Sequence, residues 1–597
     1  MSLFARAENF SVHDSSFVAG DNNTILIGDA QDAARTGLKL LYQSTVPEAS
    51  YDAEQRYPPP NCHPGTRTRI LELLRQWITD RSKITSIYWL YGPAGAGKSA
   101  IAQTICEEFS TCNGLAASFF FARTDPRRNN LRFFVLTIAY QIAKTLGPLV
   151  EGWIGTIIHH SPEILEATLI KQFQQLIIDP CRRLPSDSWL ALPRLIVIDG
   201  LDECIDIISQ ERLLSILKQL KTSSNPLPIE FLICCRPEPR ILHTFNDFDF
   251  HTVLDRIELC DNFESDSDIA HYLQDEFQRI RRDHGPAMAH VSQSWPGKDI
   301  IHQLVQRACG QFIYAKTVIK YVGDYYCLPT EQLDIILNIT VPDTHESPYP
   351  DLDLLYLQIL ATSREKELLL DILVFVLRPR EYTGLDRSAS YSDIELFLFL
   401  PKGKLATLLF GLHSILEIPE DIHSPISIRH SSFEDFLVDP KRSDMYFVDI
   451  NERITLCFLE NVHRVINTQY PPIRVSLLRL GGLVCSRVKS PSEKLLSALE
   501  RFRVDLRKLS DKSYSDNVLE RYLFRGLDAI VQWTKDLSKS PKQEVNQVRL
   551  QVLAEEFGNI LQEWVPVNSP ISSAPSMIEW VDFGIAEMSG WPMIEQI

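Results

Sequence analysis

The chain has 597 residues, of which 45% are hydrophobic and 10% are aromatic. A chain of this size and composition can bury several cores, so we expect three or four domains. The formal net charge of −17 is spread over the whole sequence. Because nonspecific binding to nucleic acid requires a basic face, this charge argues against a helicase or another nucleic-acid-binding protein.

The sequence also argues against secretion and membrane insertion. It contains no run of eighteen apolar residues, and the segment Met1 to Asn9 lacks an uninterrupted apolar signal core. We therefore expect a cytoplasmic protein without a transmembrane segment. The twelve cysteines form no C-x-x-C pair, so neither a zinc site nor a disulfide framework is indicated. Cys234 and Cys235 are adjacent, and because strand neighbours point to opposite faces, we interpret them as core residues rather than a redox pair.

Residues 1–62 are the least regular part of the sequence. Two short strand-like pieces surround a turn signal within residues 10–27. A helix around Asp29 to Gln43 and a proline-rich linker at Tyr57 to Pro60 come next. We interpret this part as an ordered lead-in that packs on the core.

The most specific motif is G-x-x-x-x-G-K-S at residues 92–99. The apolar and aromatic run at residues 84–91 predicts a buried strand before it, and apolar residues recur at helical spacing after it. In this order the loop surrounds a β-phosphate with backbone N–H groups, while Lys98 faces the β- and γ-phosphates and Ser99 binds Mg²⁺. The predicted nucleotide-binding residues of this segment are Gly92, Pro93, Ala94, Gly95, Ala96, Gly97, Lys98, Ser99 and Ala100.

A second apolar run, residues 195–199, ends in Asp199 and is followed by a G-L-D-E tetrapeptide with Asp202 and Glu203. In P-loop proteins an acid at the strand tip holds Mg²⁺, and a nearby acid orients or deprotonates the attacking water. We therefore predict Asp199 as a metal ligand, and Asp202 and Glu203 as catalytic groups. The next apolar run ends in Arg236, which we expect to reach a γ-phosphate from the adjacent strand.

Two more arginines follow the predicted second strand. Arg123 and Arg128 lie in the segment F-A-R-T-D-P-R-R-N-N, from which they could approach the γ-phosphate from the side. Solvated loop charges are the alternative interpretation for both.

From Thr68 to about Val253, strands with full hydrophobic runs alternate with helices. This pattern predicts an α/β domain with a parallel sheet covered by helices on both faces, as in P-loop NTPases. Between Asp255 and Leu337 the pattern is wholly helical, with apolar stripes at helical spacing. No N-K-x-D tetrapeptide occurs, which disfavours a GTPase.

The G-x-x-x-x-G-K-S loop, the hydrophobic-D-G-L-D-E strand end and the C-R-P strand end together resemble the NACHT class of signal-transduction NTPases, also called STAND proteins. The sequence is most similar to fungal NACHT proteins whose N-terminal half is described as nephrocystin-3-like. The resemblance spans about residues 60 to 445. Further segments that carry it are Cys62 to Arg67, Ala117 to Arg123, Thr137 to Gln141, Trp295 to Pro296, Gly310 to Ala315 and His430 to Leu437.

The resemblance implies a domain layout. It consists of a lead-in or signalling segment at residues 1–62, a P-loop domain at 63–253, a helical lid at 254–345, a winged helix at 346–449, a C-terminal helical domain at 450–565 and a tail at 566–597. In the C-terminal part, amphipathic stripes such as Leu495-Leu499-Phe502 and Val548-Val552-Phe557-Leu561 predict helices. No repeat of 34 or 42 residues occurs, so we expect no repeat array in this chain.

The resemblance also assigns roles outside the P-loop. It implies that His430 reaches back to the β-phosphate of bound ADP, and that Thr66 and Arg67 lie beside the adenine through backbone groups. The alternative for His430 is an ordinary surface or core histidine.

The implied function is an ATP/ADP switch with bound Mg²⁺. ADP would hold the chain closed, ATP would release surfaces for self-association, and slow hydrolysis, if present, would reset the switch. Non-self recognition or regulated cell death is implied by the fungal relatives. Two alternatives remain at this point, namely a continuously cycling AAA-like ATPase and an interaction scaffold that binds nucleotide for stability alone.

Overall fold

The computed structural model describes residues 29–564 except for 124, 223–225, 260–264, 340–346, 378–389, 420, 468–484, 486, 511–528 and 540–545. The strand-like pieces predicted within residues 10–27 and the predicted tail at 566–597 therefore lie outside the described residues. The chain divides into two compact units. The first contains Met1–Arg380 and Leu385–Val448, and the second contains Glu381–Gly384 and Asp449–Ile597.

The first unit is built on a five-stranded parallel sheet. Its strands are β1 (Ile87–Tyr91), β2 (Leu115–Phe120), β3 (Leu195–Asp199), β4 (Glu230–Cys235) and β5 (Leu254–Glu258). They lie in the order β2-β3-β4-β1-β5, and every pair is parallel. Strand β4 therefore separates the strand that enters the P-loop from the strand that ends in Asp199. The α/β class and the parallel sheet predicted from the sequence are confirmed.

Helices cover both faces of this sheet. As a result, β1 to β4 are buried along almost their whole length. Trp89 is fully buried on β1, with its ring stacked on Tyr91 at a centroid distance of 4.2 Å and on Phe245 at 4.4 Å. The helices of this part are Asp29–Gln43, Thr68–Thr79, Lys98–Thr111, Leu131–Thr145, Pro148–His160, Leu169–Gln172, Asp179–Arg182, Ile207–Thr222 and Pro239–Phe245, with a π-helical stretch at Phe173–Ile178.

The helix Asp29–Gln43 has the bounds expected from the sequence and packs against Pro148–His160. The two helices approach closely where Gly37 meets Gly155, since a Cβ on Gly37 would lie 1.9 Å from the carbonyl oxygen of Gly155. Further along, the backbone N–H of Val46 donates to Thr137 Oγ1 at 3.0 Å. Residues 29–62 thus join the sheet domain through specific contacts.

One expectation about the end of the sheet domain was wrong. The segment after Asp255 was predicted to be wholly helical, whereas Leu254–Glu258 is an edge strand that pairs with β1. Its side chains are only partly buried or exposed, so Asp255, Arg256 and Glu258 tolerate water. The physical reason for the error is that an edge strand lacks the full hydrophobic run by which the buried strands were identified.

The rest of the first unit is mainly helical. Its helices are Ser265–Asp283, Lys298–Ala308, Phe312–Val322, Pro329–Leu337, Pro350–Leu360, Lys366–Leu377, Tyr391–Phe397, Lys404–Leu409, Ser431–Leu437 and Pro440–Ser443. A small antiparallel sheet joins β6 (Leu416–Glu417) to β7 (Ser427–Ile428), shortly before His430. A buried ion pair between Arg442 and Asp353, at 2.7 Å, links Pro440–Ser443 to Pro350–Leu360.

The second unit contains the helices Ile450–Asn467, Glu493–Ser510 and Gln547–Trp564, and helical residues 529–538. Leu495, Leu499 and Phe502 are buried, as their spacing predicted. In the last helix, however, Val548 is 76% exposed and Val552 is 46% exposed. Phe557 of the predicted stripe is buried, and Leu550, Leu553 and Ala554 form the rest of the buried face. Within the described part of the chain, no helix is long and apolar enough to cross a membrane.

Candidate functional site

A cavity of about 430 Å³ lies at the carboxyl edge of the parallel sheet. This volume is within the range of small-molecule sites. Residues from distant parts of the first unit line it. The P-loop, the strand ends and the segment around His430 therefore share one cavity. The predicted site residues on its wall are Thr66, Arg67, Ala94, Gly95, Gly97, Lys98, Ser99, Ala100, Arg123, Asp199, Asp202, Glu203, Arg236 and His430.

The P-loop has the backbone form that its glycines allow. Gly95 and Gly97 have φ values of 80° and 95°, a conformation that side chains other than glycine rarely adopt. The loop leads into the helix Lys98–Thr111, so its N–H groups lie at a helix N-terminus, where anions are favoured. Lys98 Nζ donates to the carbonyl oxygens of Gly92 and Pro93, both at 2.8 Å. Gly92, Pro93 and Ala96 thus support the loop but do not line the cavity.

Asp199 lies at the end of β3, opposite the P-loop serine. The Ser99 hydroxyl hydrogen-bonds to the Asp199 carboxylate. Burial raises the pKa of Asp199 to about 6, while this hydrogen bond and the charges of Arg56 and Lys98 act in the other direction. A serine hydroxyl beside a buried carboxylate is an oxygen pair of the kind that Mg²⁺ takes in P-loop proteins.

The other two acids differ from each other in their partners. Asp202 accepts from the backbone N–H of Arg236 at 3.0 Å and lies 3.3 Å from its Nε, so it is used to position that arginine. Glu203 accepts from the backbone N–H of Arg123 at 3.1 Å. Burial, followed by the charge of Asp202, raises the pKa of Glu203 to about 7. Glu203 is thus the acid whose proton affinity is best suited to a general base near neutral pH.

Arg123 and Arg236 extend from the ends of β2 and β4, on either side of β3. Both guanidinium groups bind the carboxylate of Asp435, from the helix Ser431–Leu437. Arg236 Nη2 also donates to Ser431 Oγ at 3.0 Å. Burial opposes a charged Arg236, but the charges of Asp435 and Asp202 raise its pKa.

His430 precedes that helix and caps it. Its Nδ1 accepts from the backbone N–H of Ser432 at 3.0 Å, so the neutral ring carries its proton on Nε2. Burial, and then the charge of Arg236, lowers the pKa of His430 to about 3. The imidazole is therefore neutral at physiological pH and has one N–H, on Nε2, to donate within the cavity that it lines.

Three predicted residues have hydrogen-bond partners within the protein. Arg128 is not on the cavity wall, because its guanidinium donates to the carbonyl oxygen of Phe120 at 3.1 and 3.2 Å and holds the loop after β2. Thr66 and Arg67 do line the cavity, but their backbone N–H groups donate to His63 O and to Asp268 Oδ2. These N–H groups are therefore not free for a nucleotide base.

The side chain of Arg67 has a supporting role instead. It donates to the carbonyl oxygen of Ala96 at 2.7 Å, and its guanidinium lies 4.7 Å from the centroid of Phe312. Phe312 begins the helix Phe312–Val322, whose Ile313 N–H donates to Gly95 O at 3.3 Å. Two separate segments thus hold the P-loop from outside.

The sequence interpretation missed several residues of the site. Arg56 comes from the lead-in, lies 3.7 Å from the centroid of Phe120 and donates to Gln103 at 2.9 Å. Burial lowers its pKa to about 10, whereas the charge of Asp199 acts against that change. Lys316 and Asp435 were also missed. No local motif marks Arg56 or Lys316. Asp435 lies in the segment His430 to Leu437 that carries the resemblance, but its contacts with Arg123 and Arg236 arise only through the tertiary fold.

A second group of ligand-type side chains lies beside the cavity. Among the described residues, His63, His271 and Asp275 have ligand atoms within 4.8 Å of one another. His63 Nε2 and Asp275 Oδ2 are 2.9 Å apart, and this hydrogen bond joins the segment before the P-loop to the helix Ser265–Asp283.

Comparison with known proteins gives a family match over part of the chain. A search of curated proteins finds no match to the chain. Residues 65–236 match the family described as Nephrocystin 3, N-terminal. The matched segment contains the P-loop, Asp199, Glu203 and Arg236, and it ends before β5 and before the His430 segment. Over these residues, the chain is similar to the nephrocystin-3 N-terminal family.

Proposed function

We propose that the protein is an ATP/ADP switch of the NACHT type. In this proposal residues 63–253 bind the nucleotide, residues 254–345 form a helical lid, residues 346–449 form a winged helix, and residues 450–565 add a C-terminal helical domain. The observation that carries it is the shared cavity wall, on which the P-loop, Asp199 at the end of β3, the two acids that follow it and His430 meet. A nucleotide there would contact parts of the chain that are far apart in sequence, so its binding would bias their arrangement.

The residues present fit Mg²⁺ and a nucleotide. Ser99 and Asp199 would hold the metal, which supplies charge neutralisation at the phosphates. Lys98 and the N–H groups at residues 95–99 would bind the β-phosphate, and Lys98 would exchange its two carbonyl partners for phosphate oxygens. Glu203 would take a proton from water if hydrolysis occurs.

His430 is the residue that would make ADP an inhibitor of opening. A hydrogen bond from its Nε2–H to a phosphate oxygen would tie the helix Ser431–Leu437 to the P-loop half of the cavity. In this state the protein is closed, and ATP in place of ADP would release surfaces for self-association. We extend to this chain, as part of the proposal, a role in fungal non-self recognition or regulated cell death.

The nucleotide that copurifies with the protein tests the proposal. The full chain would be purified without added nucleotide, denatured and analysed by ion-exchange chromatography against ADP and ATP standards. ADP at close to one equivalent supports the switch. An empty site combined with rapid ATP turnover favours a cycling ATPase, and bound nucleotide that does not alter the oligomeric state favours a scaffold.

A further inference from the structure

The arginine pair on the cavity wall already binds an anion from the protein itself. Arg123 Nη1 lies 2.9 Å from Asp435 Oδ1, and Arg236 Nη1 lies 2.5 Å from Asp435 Oδ2. Each carboxylate oxygen therefore receives one guanidinium group. Such a pair of charge-assisted hydrogen bonds has the form by which arginines bind one phosphate group.

The arginine positions do not depend on Asp435 alone. The backbone and Nε of Arg236 are held by Asp202, and the backbone of Arg123 is held by Glu203. These contacts come from the segment after β3, within the sheet domain itself. Removal of Asp435 would leave the Arg236 guanidinium held by Asp202 and Ser431, and Arg123 held at its backbone by Glu203. The Nη1 groups of both arginines would then be available to another anion.

Asp435 lies on a different element from the rest of the phosphate site. It belongs to the helix Ser431–Leu437, which His430 caps and Ser431 begins. His430, Ser431 and Asp435 therefore move together if this helix moves. Asp435 and the arginines are partly buried, with 21%, 24% and 16% of the side chains exposed for Asp435, Arg123 and Arg236. Partial burial strengthens the ion pairs relative to surface ones.

We infer that Asp435 occupies the position of a terminal phosphate and thereby sets the preference of the site for a nucleoside diphosphate over a triphosphate. This inference rests on the proposed function, because it assumes that the cavity binds adenine nucleotides. ADP has no γ-phosphate and is compatible with the Asp435 contacts. The γ-phosphate of ATP would compete with Asp435 for Arg123 and Arg236, so its binding would separate the helix from the sheet edge.

The test measures ADP and a non-hydrolysable ATP analogue by titration calorimetry with Mg²⁺, on the full chain and its variants. Asp435→Asn keeps the shape of the side chain and removes the charge. We expect it to tighten binding of the triphosphate by ten-fold or more and to change the ADP affinity by less than three-fold. Asp435→Glu keeps a carboxylate and should remain near the wild-type ratio.

Asp439→Asn is the matched control, because it removes a nearby charge that caps the helix Pro440–Ser443 and does not contact either arginine. If Asp435→Asn fails to fold, Ser431→Ala removes only the Arg236 Nη2 contact and should shift the same ratio in the same direction by a few-fold. Equal changes for both nucleotides, or an unchanged ratio in both variants, would overturn the inference while leaving the proposed function in place. Wild-type protein that binds neither nucleotide would overturn the proposed function itself.

Discussion

The two sides of the cavity are built in different ways. On one side, residues 92–99 and Asp199 belong to local sequence motifs, in which the glycines permit the positive φ values that the loop requires. On the other side, His430 and Asp435 depend on the packing of a short helix against the sheet edge. In the proposed function, the first side would provide affinity for phosphate, and the second would let the protein respond to which phosphate is bound.

If this division is correct, the largest effect on nucleotide affinity comes from the side of the cavity that residues 92–99 form. Lys98→Ala removes the ammonium group and should lower nucleotide affinity by about 100-fold or more, which corresponds to about 3 kcal/mol. The fold should be largely retained, since the hydrogen bonds of Lys98 are to carbonyl groups of the loop itself. Equilibrium dialysis with labelled ATP measures the affinity, and circular dichroism checks the fold.

Lys144→Ala serves as the control for that measurement, because Lys144 is an exposed partner of Glu151 away from the cavity. Unchanged ATP affinity in Lys98→Ala would contradict the assignment of the whole site.

Substitutions of Asp199, at the end of β3, and of Glu203, in the segment after it, should separate metal binding from hydrolysis. Asp199→Asn removes the proposed Mg²⁺ ligand and should weaken binding about ten-fold or more in the presence of Mg²⁺, with little change in its absence. Glu203→Gln should preserve ATP binding and slow its loss by about 100-fold if Glu203 acts as general base. Single-turnover rates with radiolabelled ATP distinguish the two effects.

Asp202→Asn provides the comparison, because Asp202 holds Arg236 and its loss should affect positioning. Equal single-turnover rates in wild type, Asp202→Asn and Glu203→Gln would show that neither acid takes part in hydrolysis.

On the tertiary side, His430 should act on ADP more than on ATP. A hydrogen bond to a charged phosphate contributes about 1.5 to 3 kcal/mol, so His430→Ala should speed ADP release by ten-fold or more and raise the self-associated fraction with ATP. Stopped-flow release of a fluorescent ADP and light scattering measure the two quantities.

The helix cap of His430 has to be separated from this effect. Since Nδ1 accepts from Ser432 N–H, the alanine variant also loses a cap worth about 1 kcal/mol. His430→Asn retains a cap acceptor and lacks the imidazole Nε2–H. If ADP release is fast in the alanine variant and normal in the asparagine variant, His430 acts through helix stability and not as a latch.

The difference between the two sides of the cavity also explains which parts of the site could be predicted from the sequence. The P-loop and β3 were identifiable because full apolar runs and a glycine motif are local signals. The contacts of Asp435 with Arg236 and Arg123 span 199 and 312 positions along the chain, and no spacing rule connects residues so far apart. Strand β5 was missed because an edge strand of mixed polarity resembles a helix in a single sequence.

The errors about Arg128 and Arg56, which lie around the phosphate-binding loop, have a related cause. Arg128 carries the charge expected for a phosphate contact, but its loop folds so that it binds the Phe120 carbonyl. Arg56 was not predicted as a site residue, yet it lines the same cavity as Asp199. Charge alone therefore indicates what a side chain is able to bind, whereas its position depends on loop packing that local sequence does not specify.

The smallest expected effect is a pH dependence of the folding stability, which arises from Glu203. The pKa of Glu203 is raised in the folded protein from its ordinary value of 4.5 to about 7, mainly by burial and next by Asp202. The folded state therefore binds the proton more tightly than the unfolded chain. The resulting stability is fully present below about pH 4.5 and is lost as pH rises through 7.

Glu203→Gln removes this titration, so it should stabilise the nucleotide-free protein at pH 8 relative to wild type, by about 1 to 3 kcal/mol, and have little effect near pH 5. Denaturant unfolding of both proteins between pH 5 and 8, without Mg²⁺, measures the difference. Asp199 titrates in the same direction and His430 in the opposite one, but both are present in each protein, so the difference isolates Glu203. A constant difference across this range would show that Glu203 stays charged in the folded protein, and its assignment as a base poised near neutral pH would then be wrong.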